Sequence, residues 1–310
     1  MAAMSIISAT SVSKSYGDVK ALDGFSLDIE EREIVALLGP DGAGKTSFMR
    51  ILCRLIDPDP GADTRIEIGG RDIFTDFDPV KSLIGYMPQS FSLYPDLSVE
   101  ENMTFYAGIY GFSGAKYREM RDRMYSFSNL GPFARRRAGA LSGGMKQKLA
   151  LSCALLHDPR ILMLDEPTTG VDPLSRRQFW EMLLELREEG VTILVSTPYM
   201  DEVARTDRAV AMLGGRKLME AAPREMARSF EGKIFLLPVE PSIELVDCLS
   251  RIPGLKARRF GAGMHLYLSA NADMEDFAGE FAEAGIDTSR IERIDPSIED
   301  RFIQLMEAQR

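Results

Sequence analysis

The chain has 310 residues, is 45 % hydrophobic and 27 % charged, and carries a formal net charge of −10 at pH 7. That length suits two domains better than one compact core, and the acidic balance argues against a general nucleic-acid binder, which carries an excess of Lys and Arg. With His157 and His265 as the only histidines, a His-based zinc site is nearly excluded, and the scattered Cys53, Cys153 and Cys248 read as reduced, mostly buried thiols. No apolar run approaches the ~18–20 residues that cross a bilayer. The opening "MAAMSIISATSVSKSYG" lacks a charged segment followed by an apolar one, so no secretory leader is expected.

The predicted elements begin with two alternating strands, "SIISATSVSKSYG" and "KALDGFSLDIE", about a Gly17-Asp18 turn. "EIVALLGP" is a buried apolar strand ending in glycine. "KTSFMRILCRLI" has helical spacing that puts Phe48, Ile51, Leu52 and Leu55 on one face. "RIEIGG" and "LIGYMPQ" are short strands, and residues 90–157 read as a mainly helical segment. "RILMLDEP" and "VTILVST" are continuous apolar runs, as expected of parallel strands covered on both faces. A helix over about 174–189 joins them. "RAVAMLGGRKLME" is a hairpin about Gly214-Gly215. The pattern then resets, which places one domain over 1–228 and a second over 229–310. The second reads β-α-β-β-α-β plus a final helix, the order of a small ferredoxin-like α+β module.

Residues 39–47, "GPDGAGKTS", fit G-x-x-x-x-G-K-[ST] between an apolar strand and a helix. Gly39, Pro40, Asp41, Gly42, Ala43 and Gly44 let successive backbone N–H groups curl round one anion, and the helix start adds partial positive charge. Lys45 places a full charge on β- and γ-phosphates; Thr46, followed by Ser47, offers a hydroxyl to Mg²⁺, a hard cation that prefers oxygen. Downstream, "ILMLDEP" ends a strand in two acids. Asp165 suits the Mg²⁺ shell, and Glu166 is placed to polarise a water. Alone, such a pair is more commonly a helix cap; behind a phosphate loop the nucleotide role is preferred.

"LSGGMKQKLALSCAL", residues 141–155, identifies the chain as resembling the ATP-binding cassette (ABC) ATPases. The resemblance spans about residues 5–225 and uses at least five motifs in order. It implies an α/β P-loop NTPase cassette with a RecA-like core, an antiparallel β-subdomain and a helical subdomain. In that family Ser142, Gly143 and Gly144 would cover the γ-phosphate of ATP held by an opposite cassette, so the working unit is a dimer. Tyr16 resembles the aromatic that stacks on adenine. Gln89 resembles the glutamine that contacts Mg²⁺ and water and senses the membrane partner. Asp172 in "TTGVDP" resembles the acid of the loop that crosses the dimer interface. The implied catalytic residues are Glu166, Gln89 and Lys45; the implied metal ligands are Thr46, Gln89 and Asp165. The family's usual histidine in S-T-H-x-x-x-E is Pro198 in "STPYMDE", and its usual Gln in the signature is Met145. Proline donates no hydrogen bond from side chain or backbone.

"LYPDLSVEENMTFYAGIYG", the Met145 signature and "PSIEDRFIQL" further resemble ABC-2 type, daunorubicin-type drug exporters. The resemblance implies an ATPase lying on the cytoplasmic, inner face of the cell membrane, working with a separate integral-membrane permease. No nucleic acid is expected as a partner. Phe91, Leu93, Tyr94, Phe105 and Tyr106 either form the permease-docking groove or pack the helical subdomain. The alternatives are a soluble non-transport ABC ATPase, or a low-turnover ATP-sensing cassette paired with a second, active one.

Overall fold

The computed structural model describes residues 5–61, 63–90, 93–283 and 285–309. Its strands are β1 (Ser5–Tyr16), β2 (Val19–Glu30), β3 (Ile34–Leu38), β4 (Arg65–Ile68), β5 (Arg71–Asp72), β6 (Ile84–Met87), β7 (Ile161–Asp165), β8 (Thr192–Thr197), β9 (Arg208–Leu213), β10 (Arg216–Ala221), β11 (Lys233–Leu237), β12 (Lys256–Phe260), β13 (Gly263–Leu268) and β14 (Glu292–Ile294). The chain divides between Pro223 and Arg224 into two units. That point lies five residues before the composition reset at 228, ahead of nearly all of the short helix Pro223–Arg228.

In the first unit a six-stranded sheet runs β10-β9-β3-β8-β7-β6. The pairs from β9 to β6 are parallel and β10 closes the edge as an antiparallel hairpin. Every residue of β3, β7 and β8 is buried, which is why these strands are apolar throughout rather than alternating. A second, antiparallel sheet runs β2-β1-β4-β5. The helix Lys45–Leu52 shares one core with both sheets through Phe48, Met49, Ile51 and Leu52, with Phe48 edge-on to Phe25 at 4.7 Å. Leu55 was expected on that face but is 58 % exposed. The helix stops at Leu52 and Arg54 takes φ +53°, which turns the chain away before Leu55.

The helical segment holds Val99–Ile109, Gly114–Ser128 and Gly143–Leu155. Ser98 and Glu101 form a reciprocal capping box at the start of the first, satisfying two orphan N–H groups. Buried Asn102 fastens the preceding turn: its amide donates to the carbonyls of Tyr94, Leu97 and Ser98 and its oxygen accepts from Tyr94 N–H. The helix Pro173–Glu188 buries Phe179, Trp180, Met182, Leu183 and Leu186.

The second unit is an antiparallel sheet β12-β13-β11-β14, the strand order of a ferredoxin-like fold. Phe235, Leu237, Met264, Leu266 and Leu268 share a core with Leu249, Phe277 and Phe281 from the intervening helical segments. Two elements are shorter than their sequence patterns. The run "DMEDFAGEFAEAG", which reads as one helix, splits into a 3-10 turn and a six-residue helix, and of "TSRIERI", which reads as a strand, only Glu292–Ile294 pairs, because Asp287 caps a 3-10 turn over Thr288–Arg290.

Candidate functional site

The loop after β3 wraps one end of a cavity of about 390 Å³ lined by Tyr16, Val19, Ala21, residues 41–47, Gln89 and Glu166. Gly42 and Gly44 adopt φ +79° and +103°. At Gly44 a Cβ would stand 2.2 Å from the Ala21 carbonyl oxygen, so only glycine fits this turn. Lys45 opens the helix but its ammonium folds back over the loop. It donates to the Gly39 and Pro40 carbonyls at 2.7 and 3.1 Å and lies 3.7 Å from Glu166. Tyr16 is half exposed at the rim, with its hydroxyl 3.5 Å from Ser47 Oγ. An exposed aromatic face beside an anion cradle suits the stacking of a planar ring.

The parallel register sets Asp165 opposite Ser196, and this brings the acids to the cradle. Ser196 Oγ donates to Asp165 Oδ1 at 2.7 Å and accepts from Glu166 N–H at 2.9 Å. Thr46 Oγ1 donates to the same Asp165 oxygen at 3.0 Å. The other oxygen, Oδ2, is buried with no hydrogen-bond partner among the described residues. A hydroxyl beside an unpaired carboxylate oxygen is an all-oxygen donor set, which fits Mg²⁺. No three His, Cys, Asp or Glu side chains gather as a metal cage among the described residues, and Mg²⁺ commonly takes one or two carboxylates plus phosphate and water instead. Glu166 has φ +48°, a backbone conformation that costs a non-glycine residue about 1–3 kcal/mol. Its Oε2 accepts from Gln89 Nε2 at 3.0 Å and from Thr169 Oγ1 at 3.2 Å. The carboxylate is thereby held at the mouth of the cavity.

Other expected site residues stand apart from this cavity. Ser142 is an exposed N-cap accepting from Met145 N–H at 3.3 Å. Gly143 is exposed beside it, and Gly144 is buried against Ser175 so closely that an added Cβ would stand 2.4 Å from its side chain. Asp172 caps the helix Pro173–Glu188 by accepting Ser175 N–H at 2.9 Å. The hydrogen bonds from Ser175 hold its carboxyl below the ordinary aspartate value. Pro198 is exposed just beyond β8. Its neighbours are committed elsewhere: Thr197 Oγ1 donates to Glu202 and accepts Tyr199 N–H at 3.0 Å, while the Tyr199 ring lies 4.4 Å from the Arg176 guanidinium. Ser196, Thr168, Thr169 and Glu202 lie outside the expected set of site residues; their signals in the sequence are the S and E of the S-T-H-x-x-x-E run and the two threonines that open "TTGVDP".

Of the five expected groove residues, Leu93 is buried, Tyr94 and Phe105 are exposed and in edge-to-face contact at 4.6 Å, and Tyr106 is half-buried. Phe91 lies outside the described residues.

A parallel β-sheet carrying a phosphate-type loop, an acid pair at a neighbouring strand end and a separate Ser-Gly-Gly helix start defines a nucleotide-handling cassette. The ABC transporter family model matches residues 22–169. The Nod factor export ATP-binding protein I of Burkholderia lata is 37 % identical over 285 residues, covering 86 % of this chain and 93 % of the relative. The chain belongs to the ABC transporter ATP-binding family. It is also 38 % identical over 298 residues to the probable multidrug ABC transporter ATP-binding protein YbhF of Escherichia coli, covering 93 % of this chain but only 50 % of that relative; the chain spans about half the length of that protein. Among solved structures, the dimeric bacterial ABC transporter cassette MJ0796 superposes with a TM-score of 0.63 at 28 % identity, over 70 % of this chain and 98 % of the cassette.

Proposed function

We propose that the chain is the ATP-binding and hydrolysing subunit of an exporter, driving a separate membrane permease through cassette dimerisation. The observation that carries this reading is the convergence of Lys45, Thr46, Glu166 and Gln89 on one cavity, with Asp165 buried behind Thr46 and bonded to it, while Ser142, Gly143 and Asp172 sit exposed outside it. Half a site faces inward and the other half faces a partner. Relatives named for Nod factor export and as a probable multidrug ABC transporter support the transport assignment, and a solved cassette dimer supports the second copy or a second, different cassette as partner. No described helix is long and apolar enough to cross a membrane, which agrees with a permease supplied as another chain. The ABC-2 branch and a place on the inner membrane face belong to the same proposal.

ATP enters with its adenine against Tyr16 and its phosphates over Gly42–Ser47. The β- and γ-phosphates replace the Gly39 and Pro40 carbonyls as partners of Lys45. Thr46, Asp165 and Gln89 would hold Mg²⁺, which when bound neutralises phosphate charge. Glu166 orients and polarises the attacking water, with Gln89 and Thr169 fixing its carboxylate. Ser142 and Gly143 of one cassette close on the γ-phosphate in the other through a helix N-terminus.

A second reading rests on the strand end after β8. Pro198 donates nothing, and the one proton of Thr197 goes to Glu202. A transition-state donor is typically worth about 10²–10³ in rate. Turnover at this chain's own site is therefore slow, which favours pairing with a second cassette whose site this chain's intact signature completes. The deciding experiment is Mg-ATP turnover by the purified chain with Glu166→Gln as blank. Turnover above the blank supports a working homodimer; turnover at the blank with ATP still bound supports the asymmetric pair; absence of ATP binding rejects both.

A further inference from the structure

Glu202 is 1 % exposed and makes no ion pair among the described residues. Its two oxygens accept from two buried hydroxyls: Thr168 Oγ1 at 2.5 Å and Thr197 Oγ1. Those hydroxyls lie on different segments. Thr168 stands two residues after Glu166, in the turn whose backbone bonds Thr169 N–H to Glu166 O and Val171 N–H to Thr168 O, and which delivers Asp172 to the surface. Thr197 ends β8, directly before Pro198. Thr197 in turn accepts Tyr199 N–H, so the carboxylate, two hydroxyls and the turn after β8 form one closed set.

Such a set is poorly explained as stabilisation. A buried carboxylate with hydroxyl partners and no cation pays a desolvation cost that an apolar trio of the same shape avoids. What the arrangement does achieve is mechanical. It ties the loop carrying Glu166 and Asp172 to the strand end whose Ser196 holds Asp165 and the Glu166 N–H. We propose that Glu202 is a positioning residue for hydrolysis, coupling the Glu166–Asp172 loop to the end of β8 through Thr168 and Thr197. This rests on the ATPase reading above. Glu202 does not line the nucleotide cavity; it acts by holding the segment that carries Glu166 and Asp172 in place.

The test uses the full chain: Mg-ATP turnover, affinity for a fluorescent ATP analogue, and melting temperature. Thr168→Val cuts the tie on the loop side, Thr168→Ser keeps the hydroxyl, and the triple Thr168→Val/Thr197→Val/Glu202→Met replaces the whole set by apolar groups. Turnover is expected to fall at least tenfold in the valine and triple variants, with nucleotide affinity within threefold of wild type. The serine variant should return to within threefold of wild-type turnover, and the triple should melt no lower than wild type. Wild-type turnover in Thr168→Val, or in a triple variant that binds and melts normally, overturns the proposal; the triple carries the test if the single valine fails to fold. A wild-type chain that binds no ATP removes the ATPase reading and this role together; one that binds ATP but is no faster than Glu166→Gln overturns this role at the chain's own site and leaves the asymmetric pair standing. That failure is visible in the wild type before any Thr168 variant is compared.

Discussion

Pro198 and Gly44 are single residues on which the activity turns in opposite ways. Gly44 is irreplaceable for a steric reason, since φ +103° and a Cβ 2.2 Å from the Ala21 oxygen oppose any side chain. Gly44→Ala should cost about 3 kcal/mol or more, lowering the melting temperature by roughly 10 °C for a unit of this size and abolishing ATP binding in a filter assay. Pro198 is replaceable because it is exposed and packs nothing essential. Pro198→His should leave the melting temperature within about 2 °C and raise turnover tenfold or more. A variant no faster than wild type would mean that water or another group already supplies the missing donor. The motif glycines, Lys45, Thr46, Asp165 and Glu166 were legible as a chemical set because their residue types and spacing have few other uses. Ser196 and Glu202 fit the S-T-H-x-x-x-E run by type and spacing, but their partners were not legible there: the pairing of β7 with β8 sets Ser196 against Asp165, and the turn after β7 brings Thr168 to Glu202.

At the scale of elements, the buried carboxylate of Asp300 anchors the start of the final helix Ile298–Glu307. Asp300 Oδ2 accepts the Ser297 N–H and hydroxyl, completing a capping box, and Oδ1 accepts from His265 Nδ1 at 2.9 Å and Tyr267 OH at 2.7 Å. Burial pushes the Asp300 pKa up, but the hydrogen bonds from Ser297, His265 and Tyr267 outweigh it and the net shift is downward from 3.8. A depressed folded-state pKa contributes stability that is complete above the unfolded value and is lost as pH falls through the folded one. The second unit should therefore lose stability below about pH 4. Asp300→Asn should melt lower than wild type at pH 7 and depend less on pH below 4, measured by circular dichroism. The sequence exposed this helix start through Ser297 and its acids. It did not expose His265 and Tyr267, which reach Asp300 only because alternate residues of β13 face the helix while Met264, Leu266 and Leu268 face the opposite core.

Across the whole molecule, the three cysteines sort by burial. The Cys53 thiol contacts Met163 Sδ at 3.4 Å, and burial pushes its pKa up to about 12; the residue's partial exposure does not extend to a reactive sulfur. Cys153 is buried and its pKa is raised further by the same cause. Cys248 is exposed. A maleimide at pH 7 should label one thiol per native chain rapidly and three on denaturation. Fast labelling of a second thiol would show that the Cys53 environment opens.

Sequence by itself determined the class of this protein and the order of its elements. Apolar runs, glycine turns and the loop 39–47 are local patterns with local causes: strand burial on both faces, positive φ, and an anion cradle at a helix start. Tertiary structure alone decided what those elements bring together. It ended the first helix before Leu55, set Ser196 against Asp165, left one Asp165 oxygen unpaired beside Thr46, and spent the Thr197 proton on Glu202. The Asp165 contacts join residues far apart in the chain, and strand register, not residue type, sets which hydroxyl meets that carboxylate; the helix end and the Thr197–Glu202 bond close over a few residues through backbone turns that residue types do not reveal.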